Sequence, residues 1–248
     1  MIVYLAGFNC LHKEYKNDTK DIYLLSSFFD FQRIKNIPNF VYQNRHILDS
    51  GAFSTFRDPI NARTFDWDNY VKNYIQFIKQ TNQNLFFELD IDAVIGLEKV
   101  EYYRKLIEDS TGKSPIPVWH CNRGWEYFEM MCESYPYVSL GTTMANKQGQ
   151  LIRKNPFVLT KFIDTAHKKG CKIHGLGFTK TNQLHKFKFD SVDSTTWIGA
   201  RFGTVFVFKN NKVKQYTNKK KRLISNANIR IHNFNEWVKY QKYAEKNL

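Results

Sequence analysis

Acidic residues stand at or near the ends of several short apolar runs in this sequence. Asp49 ends HILD, Asp90 and Asp92 lie in FELDIDAVIG, and Asp193 lies in SVDSTTW. A carboxylate at the end of an apolar segment costs free energy unless a partner or a ligand stabilises it. Acidic side chains in such places predict a site for nucleophilic and acid–base chemistry.

Histidine and glycine residues occupy equivalent places in other apolar runs: His120 in PVWH, Gly141 in YVSLG, and His174 and Gly175 in KIHGLGF. For the histidines, a hydrogen bond to a neighbouring strand explains their position as well as a role in a site does. Asp49 and Asp193 could also serve only to form turns, since small residues follow both. Of Asp90 and Asp92, which share a face if both lie in one strand, we expect one to be structural.

The segment after Asp49 suits a flat ligand. Ser50, Gly51 and Ala52 are small, so a ligand can approach the backbone closely there. Phe53 follows within reach as a platform on which a planar ring can stack. We therefore expect this segment to contact a purine-like ligand.

The elements that must position these residues are short apolar runs that alternate with amphipathic segments. The runs cover residues 2–8, 46–53, 85–94, 116–120, 137–141, 172–178, 191–197 and 203–209. Such runs are typical of parallel strands buried on both faces. Helical patterns cover residues 65–79, 97–108 and 156–169, the last after the N-cap residue Asn155. This alternation predicts an α/β fold, and about eight strands favour a (β/α)₈ barrel over an open doubly wound sheet.

Length and charge suggest the organisation and the partner. The 248 residues suit a barrel at residues 1–208, followed by a basic segment and a C-terminal helix at residues 209–248. The formal net charge of +14 favours a polyanion such as nucleic acid. Candidate phosphate ligands are Arg123, Arg201, Lys219, Lys220, Lys221 and Arg222. The run at residues 219–222 could instead be a solvated tail.

Other classes of protein fit the sequence less well. No apolar run reaches the roughly 20 residues that span a bilayer, and the first residues do not form a secretory signal. The four cysteines are scattered, so neither a zinc site nor a disulfide framework is predicted. We expect no metal, no cofactor, no membrane and a cytoplasmic location.

Six motifs in order, LDSGAFS, LDIDAVIG, PVWH, YVSLG, IHGLGFT and SVDSTTW with a following RFG, span residues 46–203. In this order they resemble the tRNA-guanine transglycosylase superfamily, and most closely its short branch, the DNA 7-deazaguanine transglycosylases encoded mainly by bacteriophages. The tRNA enzymes carry zinc-binding cysteines near the C terminus, whereas the last cysteine here is Cys171. This departure favours DNA over tRNA as the substrate, and a phage enzyme would act in the host cytoplasm.

The resemblance implies a reaction and a nucleophile. Guanine in DNA would be exchanged for a 7-deazaguanine base resembling preQ0, through a covalent bond between Asp193 and the sugar C1′. Asp190, three residues earlier, is the alternative nucleophile. In the family's first motif, Asp-Ser-Gly-Gly-aromatic-Gln, this chain departs at Ala52 and Ser54.

The resemblance also assigns roles around the base. Asp49 would handle protons and Phe53 would stack on the ring. Either Asp90 or Asp92 would bind the guanine edge, with Asp90 preferred, and Gly141 would contact the base through its backbone.

Three other functions remain open from the sequence. The first is a tRNA-guanine transglycosylase, and the second is a non-catalytic barrel that binds nucleic acid. Asp49 and Asp193 argue against the second, since two acids facing a polyanion bring a mere binder no benefit. The third is a glycoside hydrolase with paired carboxylates, which the basic charge disfavours.

Overall fold

A parallel sheet curled into a half-barrel forms the centre of the protein in this computed structural model. The structure describes residues 1–32, 34–52, 64–141, 147–178, 181–202, 204–217 and 227–248. In these ranges the sheet has seven strands: β1 (Ile2–Ala6), β2 (Leu24–Ser27), β3 (His46–Asp49), β4 (Val118–Trp119), β5 (Tyr137–Leu140), β6 (Lys172–Gly175) and β7 (Ser191–Ser194). Their order is β3-β2-β1-β7-β6-β5-β4. The α/β class expected from the sequence is confirmed.

Residues 85–88 lie between β3 and the segment that leads into β4. The Phe87 amide donates to the Leu48 carbonyl at 2.9 Å, and the Ile116 amide donates to the Phe86 carbonyl at 2.8 Å. Both contacts are parallel bridges. This short segment therefore bonds to the edge strand β3 on one side and to the residue that leads into the edge strand β4 on the other.

The two faces of the sheet carry two hydrophobic clusters. The smaller cluster joins strand residues mainly to each other: Tyr4, Ala6, Leu25, Ile47, Phe87, Ile116 and Val118. The larger cluster joins the alternate strand residues, such as Val3, Leu48 and Ile173, to the helices. Strand side chains alternate between faces, so Asp49 shares the inner face with Ile47. Asp193 pairs in register with Tyr4 and lies on the same inner face.

Helices follow most of the strands and cover the outer face. They are α1 (Phe28–Phe31), α2 (Trp67–Thr81), α3 (Asp92–Ile95), α4 (Leu97–Thr111), α5 (Gly124–Ser134), α6 (Lys147–Lys154), α7 (Pro156–Lys168), α8 (Thr181–Leu184) and α9 (Ala227–Asn247). The predicted cap of α7 is confirmed, because the Asn155 side chain accepts from the amides of Phe157 and Val158. No helix in the described ranges is both long and apolar enough for a membrane crossing.

The structure of residues 204–217 differs from the barrel strand that the sequence predicted there. Residues 203–209 were expected to supply a barrel strand, but β8 (Thr204–Lys209) pairs with β9 (Lys212–Thr217) in a separate antiparallel sheet. Asn210 and Asn211 form the two-residue turn with φ of 54° and 62°, which asparagine tolerates. Sequence analysis missed two strands. The first is β2, whose LLSS is too short and too polar at its end to stand out, and the second is β9, which lies in the segment expected only to be basic.

Helix α9 is part of the main core. The expected boundary between residues 208 and 209 falls inside β8, and α9 begins six residues before the expected start at residue 233. Phe234 and Trp237 are buried in the same cluster as the strands. The Gln241 side chain donates to the Val3 carbonyl of β1 at 2.6 Å. The C-terminal helix therefore stabilises the sheet directly.

Glu88 anchors the segment between β3 and β4. Its fully buried carboxylate accepts from the Val118 amide at 2.7 Å, from Arg104 Nε at 2.7 Å and from Arg123 Nη1 at 2.8 Å. Together the two guanidinium groups neutralise the buried carboxylate, which would otherwise be costly.

Replacing Arg104 with leucine is expected to destabilise the protein by about 3 kcal/mol, because Glu88 loses a buried partner. The adjacent change Lys105→Leu is the matched control, since Lys105 is exposed and its ion pair with Asp109 lies at the surface. Urea unfolding of both variants measures the difference, and we expect less than about 0.5 kcal/mol for Lys105→Leu. Equal losses would show that Glu88 does not depend on its buried partner.

Candidate active site

Three carboxylates lie close enough to influence one another, where the strands end. Asp49 ends β3, Asp193 lies near the end of β7, and Asp90 follows residues 85–88. The charges of Asp90 and Asp193 both act on Asp49, which places the three groups in one electrostatic environment. The structure therefore brings together acidic residues that are 144 positions apart at most in the chain, from Asp49 to Asp193.

Asp49 is the carboxyl group whose acidity changes most clearly. Burial raises the pKa of Asp49, the negative charges of Asp90 and Asp193 raise it further, and the Gly51 amide opposes the shift. The result is a pKa of about 8. Asp49 is therefore largely protonated at pH 7 and can donate a proton.

Asp193 is held by two groups that act on the same oxygen. The Gly177 amide donates to Asp193 Oδ1 at 2.5 Å, and His174 Nε2 lies 3.3 Å from that oxygen. Gly177 has φ of 67°, a left-handed conformation that favours glycine. Since both contacts go to Oδ1, they fix the direction of the carboxylate, and within the described residues no hydrogen bond engages Oδ2.

A chain of hydrogen bonds runs behind Asp193. His174 Nδ1 lies 2.5 Å from Ser191 Oγ, and Ser191 Oγ lies 2.5 Å from the Tyr137 hydroxyl. One assignment satisfies every atom: Tyr137 donates to Ser191, Ser191 donates to Nδ1, and Nε2–H donates to Asp193. His174 is fully buried. His174 therefore orients the Asp193 carboxylate, and its expected contact with a substrate remains a prediction.

Arg153 bonds Gly177, the residue whose amide holds Asp193. Its guanidinium donates to the Gly177 carbonyl and lies 4.4 Å from the centre of the Phe178 ring. Burial lowers the pKa of Arg153, and the negative charge of Asp193 opposes that shift. Sequence analysis missed Arg153, Ser191 and Tyr137, because no motif links them to Asp193.

Asp90 belongs to a second polar group. His120 Nδ1 donates to the Gly141 carbonyl at 2.8 Å, and its Nε2 lies 3.4 Å from Asp90 Oδ2. Burial works to lower the pKa of His120, but the contact with Asp90 raises it above its ordinary value. A Cβ on Gly141 would lie 2.6 Å from His120 Cε1, so a glycine is required beside the ring.

The structure separates Asp90 from Asp92. Asp92 begins α3, so the alternation of a strand does not apply to the pair. Its carboxylate accepts from Arg123 Nε at 3.1 Å and from Asn122 at 2.8 Å. Burial would raise the pKa of Asp92, but the Arg123 charge and these bonds hold it below its usual range. Asp92 is thus a structural ion-pair partner, and Asp90 is the carboxylate beside the site.

Arg123 was expected to bind phosphate, but the structure places it inside the protein. Its side chain is buried and bonded to both Glu88 and Asp92. A guanidinium in this place braces the fold and does not present itself to phosphates at the surface. We therefore leave Arg123 out of the proposed nucleic-acid contacts.

Ser50 and Gly175, which were expected to contact a ligand, both lie close to other parts of the protein. Ser50 is fully buried, its carbonyl accepts from the Tyr70 hydroxyl at 2.6 Å, and its Oγ accepts from the Ala52 amide. A Cβ on Gly175 would lie 3.0 to 3.2 Å from the Phe178 and Phe189 rings. Both residues therefore make close contacts within the protein, and their expected contacts with a ligand remain predictions.

The alternative nucleophile Asp190 lies at the opposite end of β7. Its carboxylate accepts from the Ile173 amide at 2.8 Å and lies 3.0 Å from His167 Nε2. Asp190 is therefore separated from Asp49 by the length of the strand. Other expected site residues lie outside the described part of the chain: Phe53, the side chain of Arg201, and Lys219–Arg222.

The arrangement combines a fixed carboxylate, a protonated carboxyl and a histidine-linked carboxylate. Such a set can attack an electrophilic carbon, protonate a leaving group and accept hydrogen bonds from a planar ligand. Within the described residues, no group of three or more His, Cys, Asp or Glu side chains is placed to hold a metal ion. Comparisons of the chain with protein-family models, curated proteins and solved structures find no match.

Proposed function

We propose that the protein is a transglycosylase that replaces guanine in DNA with a 7-deazaguanine base. The observation that carries the proposal is the pair formed by Asp193, fixed through Oδ1, and Asp49, whose pKa of about 8 keeps it protonated. The ordered motifs and the net charge of +14 support a guanine base and a polyanionic substrate.

The proposal includes a closed (β/α)₈ barrel. Residues 85–88 bond to β3 on one side and to the segment before β4 on the other, which supplies an eighth strand position between the two sheet edges. The carboxyl ends of the strands would then surround one mouth, as in barrel enzymes. Asp49, Asp90 and Asp193 would face this mouth together.

In the first step, Asp193 Oδ2 attacks the sugar C1′ of a deoxyguanosine that has left the base stack. The bond between C1′ and N9 breaks, and its electron pair goes to the guanine. Asp49 donates its proton to the departing base and becomes a carboxylate. A glycosyl ester on Asp193 remains, as in retaining glycoside hydrolases.

In the second step, the incoming 7-deazaguanine loses its N9 proton to Asp49. N9 then attacks C1′ and the bond to Asp193 breaks, so the sugar keeps its original configuration. Asp49 is protonated again and Asp193 is again a carboxylate. The cycle therefore needs no added acid or base.

Asp90 is proposed to bind the edge of the base. Its carboxylate accepts hydrogen bonds from the N1–H and the 2-amino group of guanine or 7-deazaguanine. His120 holds Asp90 in place through the contact at 3.4 Å. Adenine would leave these acceptors unpaired, which accounts for discrimination.

The proposal is tested by incubating the protein with labelled guanine and either DNA or tRNA. Label in DNA alone supports the proposal, and label in tRNA alone would assign the tRNA reaction. Binding to DNA without label in either substrate would favour a non-catalytic nucleic-acid-binding barrel.

Ser191→Ala is expected to slow exchange roughly tenfold, because a small loss of positioning at a reacting group is costly. The variant removes the donor to His174 Nδ1 and loosens Asp193. Ser139→Ala is the matched control, since Ser139 is equally buried but its hydroxyl donates to the His174 carbonyl, at 3.4 Å, and not to the imidazole ring. Single-turnover rates of both variants measure the effect. A lower rate in Ser139→Ala than in Ser191→Ala would contradict the relay.

A further inference from the structure

A cavity of about 400 Å³ lies next to the proposed nucleophile. It opens between α6, the first residue of α7, the loop after β6 and α8. Residues that line it include Arg153, Lys154, Gly177, Phe178, Lys186 and Phe187. The Gly177 amide bonds Asp193 Oδ1, so the cavity begins one residue from the reacting carboxylate.

The chemistry of the cavity wall fits a nucleotide. Arg153, Lys154 and Lys186 supply positive charge, and the described lining residues include no aspartate or glutamate. Phe178 and Phe187 supply apolar ring surface on the same wall. Cations beside aromatic rings are the usual combination for a nucleic-acid strand, because the cations bind phosphate and the rings contact bases.

The rim of the cavity carries an exposed aromatic residue. Pro156 lines both this cavity and a neighbouring depression that contains Phe157, Lys161 and Lys168. The Phe157 side chain is 87% exposed, more than any other large hydrophobic residue in the described ranges. Leu151, on the preceding helix, is also 68% exposed. An exposed phenylalanine near lysines is a suitable platform for a base.

We propose that this cavity holds the nucleotide next to the target deoxyguanosine in a single strand, and that Phe157 stacks on the base beyond it. The inference rests on the proposed function and extends it to the path of the strand. The phosphate beside the target sugar contacts Arg153, and the following phosphates contact Lys154 and Lys186. The strand therefore leaves the reaction centre over α6 and the start of α7.

The test measures binding of a fluorescent single-stranded oligonucleotide that contains one guanine, across a range of salt concentrations. Asp193→Asn is the common background, so that no covalent product forms. In this background we expect Phe157→Ala to weaken binding roughly tenfold with little change in salt dependence. Lys154→Ala with Lys186→Ala should lower the slope of log affinity against log salt by about 2, or about 1 for each lysine.

Matched controls come from α2 and α4, neither of which contributes a residue to the described lining of the cavity. Tyr102 of α4 is 56% exposed, and Tyr102→Ala is the control for Phe157→Ala. The pair Lys72→Ala and Lys79→Ala, exposed on α2, is the control for the two lysines. We expect the control variants to bind like the background protein, and circular dichroism checks that all variants fold.

The outcomes separate this inference from the proposed function. The subsite alone would be overturned by three results together. The wild-type protein would exchange guanine normally, Phe157→Ala would bind DNA as tightly as Tyr102→Ala, and the two lysine double variants would bind DNA equally. Failure of the wild-type protein to bind DNA would overturn both proposals. Selective loss in the cavity and rim variants supports the strand path.

Discussion

Asp193→Asn should reduce guanine exchange by roughly four to six orders of magnitude, as expected when a covalent nucleophile is removed. The amide oxygen can still accept from the Gly177 amide, which bonds the carboxylate at 2.5 Å, so we expect the fold to remain intact. The amide cannot form the ester with C1′, so the first step is lost. Incorporation of labelled guanine measures the rate, and circular dichroism measures folding.

Asp190→Asn is the matched control for this change. Asp190 lies on the same chain segment, three residues earlier, but its carboxylate bonds the Ile173 amide at the other end of β7. We expect this variant to exchange guanine within a few fold of the wild-type rate. Loss of exchange in Asp190→Asn with full activity in Asp193→Asn would reverse the assignment of the nucleophile.

Asp49→Asn should lower exchange by roughly two to four orders of magnitude, because general acid–base catalysis contributes that much. The same change should stabilise the folded protein. Burial and the charges of Asp90 and Asp193 raise the pKa of Asp49 to about 8, so its ionised form is unfavourable in the folded state.

In the wild-type protein, exchange should fall as the pH rises above about 8, since Asp49 then loses the proton that it donates.

The raised pKa of Asp49 determines whether Asp49→Asn stabilises or destabilises the folded protein. The folded state holds a proton on Asp49 between the ordinary carboxyl pKa of about 4 and the raised value, so wild-type stability falls as the pH rises through that window. Asparagine has no proton to lose. We expect Asp49→Asn to raise Tm at pH 8 by about 5 °C, for a gain of roughly 2 kcal/mol, and by less at pH 5.

Asp92→Asn is a control for which we expect the change in Tm to have the opposite sign. The pKa of Asp92 is held below its usual range by Arg123, so its ionised form stabilises the fold above the ordinary carboxyl pKa. We expect Asp92→Asn to lower Tm at both pH 5 and pH 8. A lower Tm at pH 8 for Asp49→Asn as well would contradict the raised pKa of Asp49.

The sequence predicted the positions of Asp49, Asp90 and Asp193 well because each follows an apolar run, and strand ends converge in a parallel sheet. The cap at Asn155 was also predictable, since capping depends on neighbouring residues only. The short strand β2 lacked such a local signal. Arg153 was not predictable either, because it reaches Gly177 across 24 positions and no local pattern records that contact.

Asp92 and Arg123 show why residue type alone is insufficient near a site. The two residues are 31 positions apart, and each suggested a functional role in the sequence. Helix α3 begins at Asp92 and turns its carboxylate towards the buried guanidinium. A structural ion pair therefore accounts for both, and Asp90 is left beside His120.

The most direct measurement is mass spectrometry of nucleosides from DNA incubated with the protein and a 7-deazaguanine base. With wild-type protein, we expect the 7-deazaguanine deoxynucleoside to appear in proportion to the deoxyguanosine that is lost. With Asp193→Asn, we expect none to appear. Unchanged deoxyguanosine with every 7-deazaguanine supplied, or equal product from Asp193→Asn, would contradict the proposed exchange.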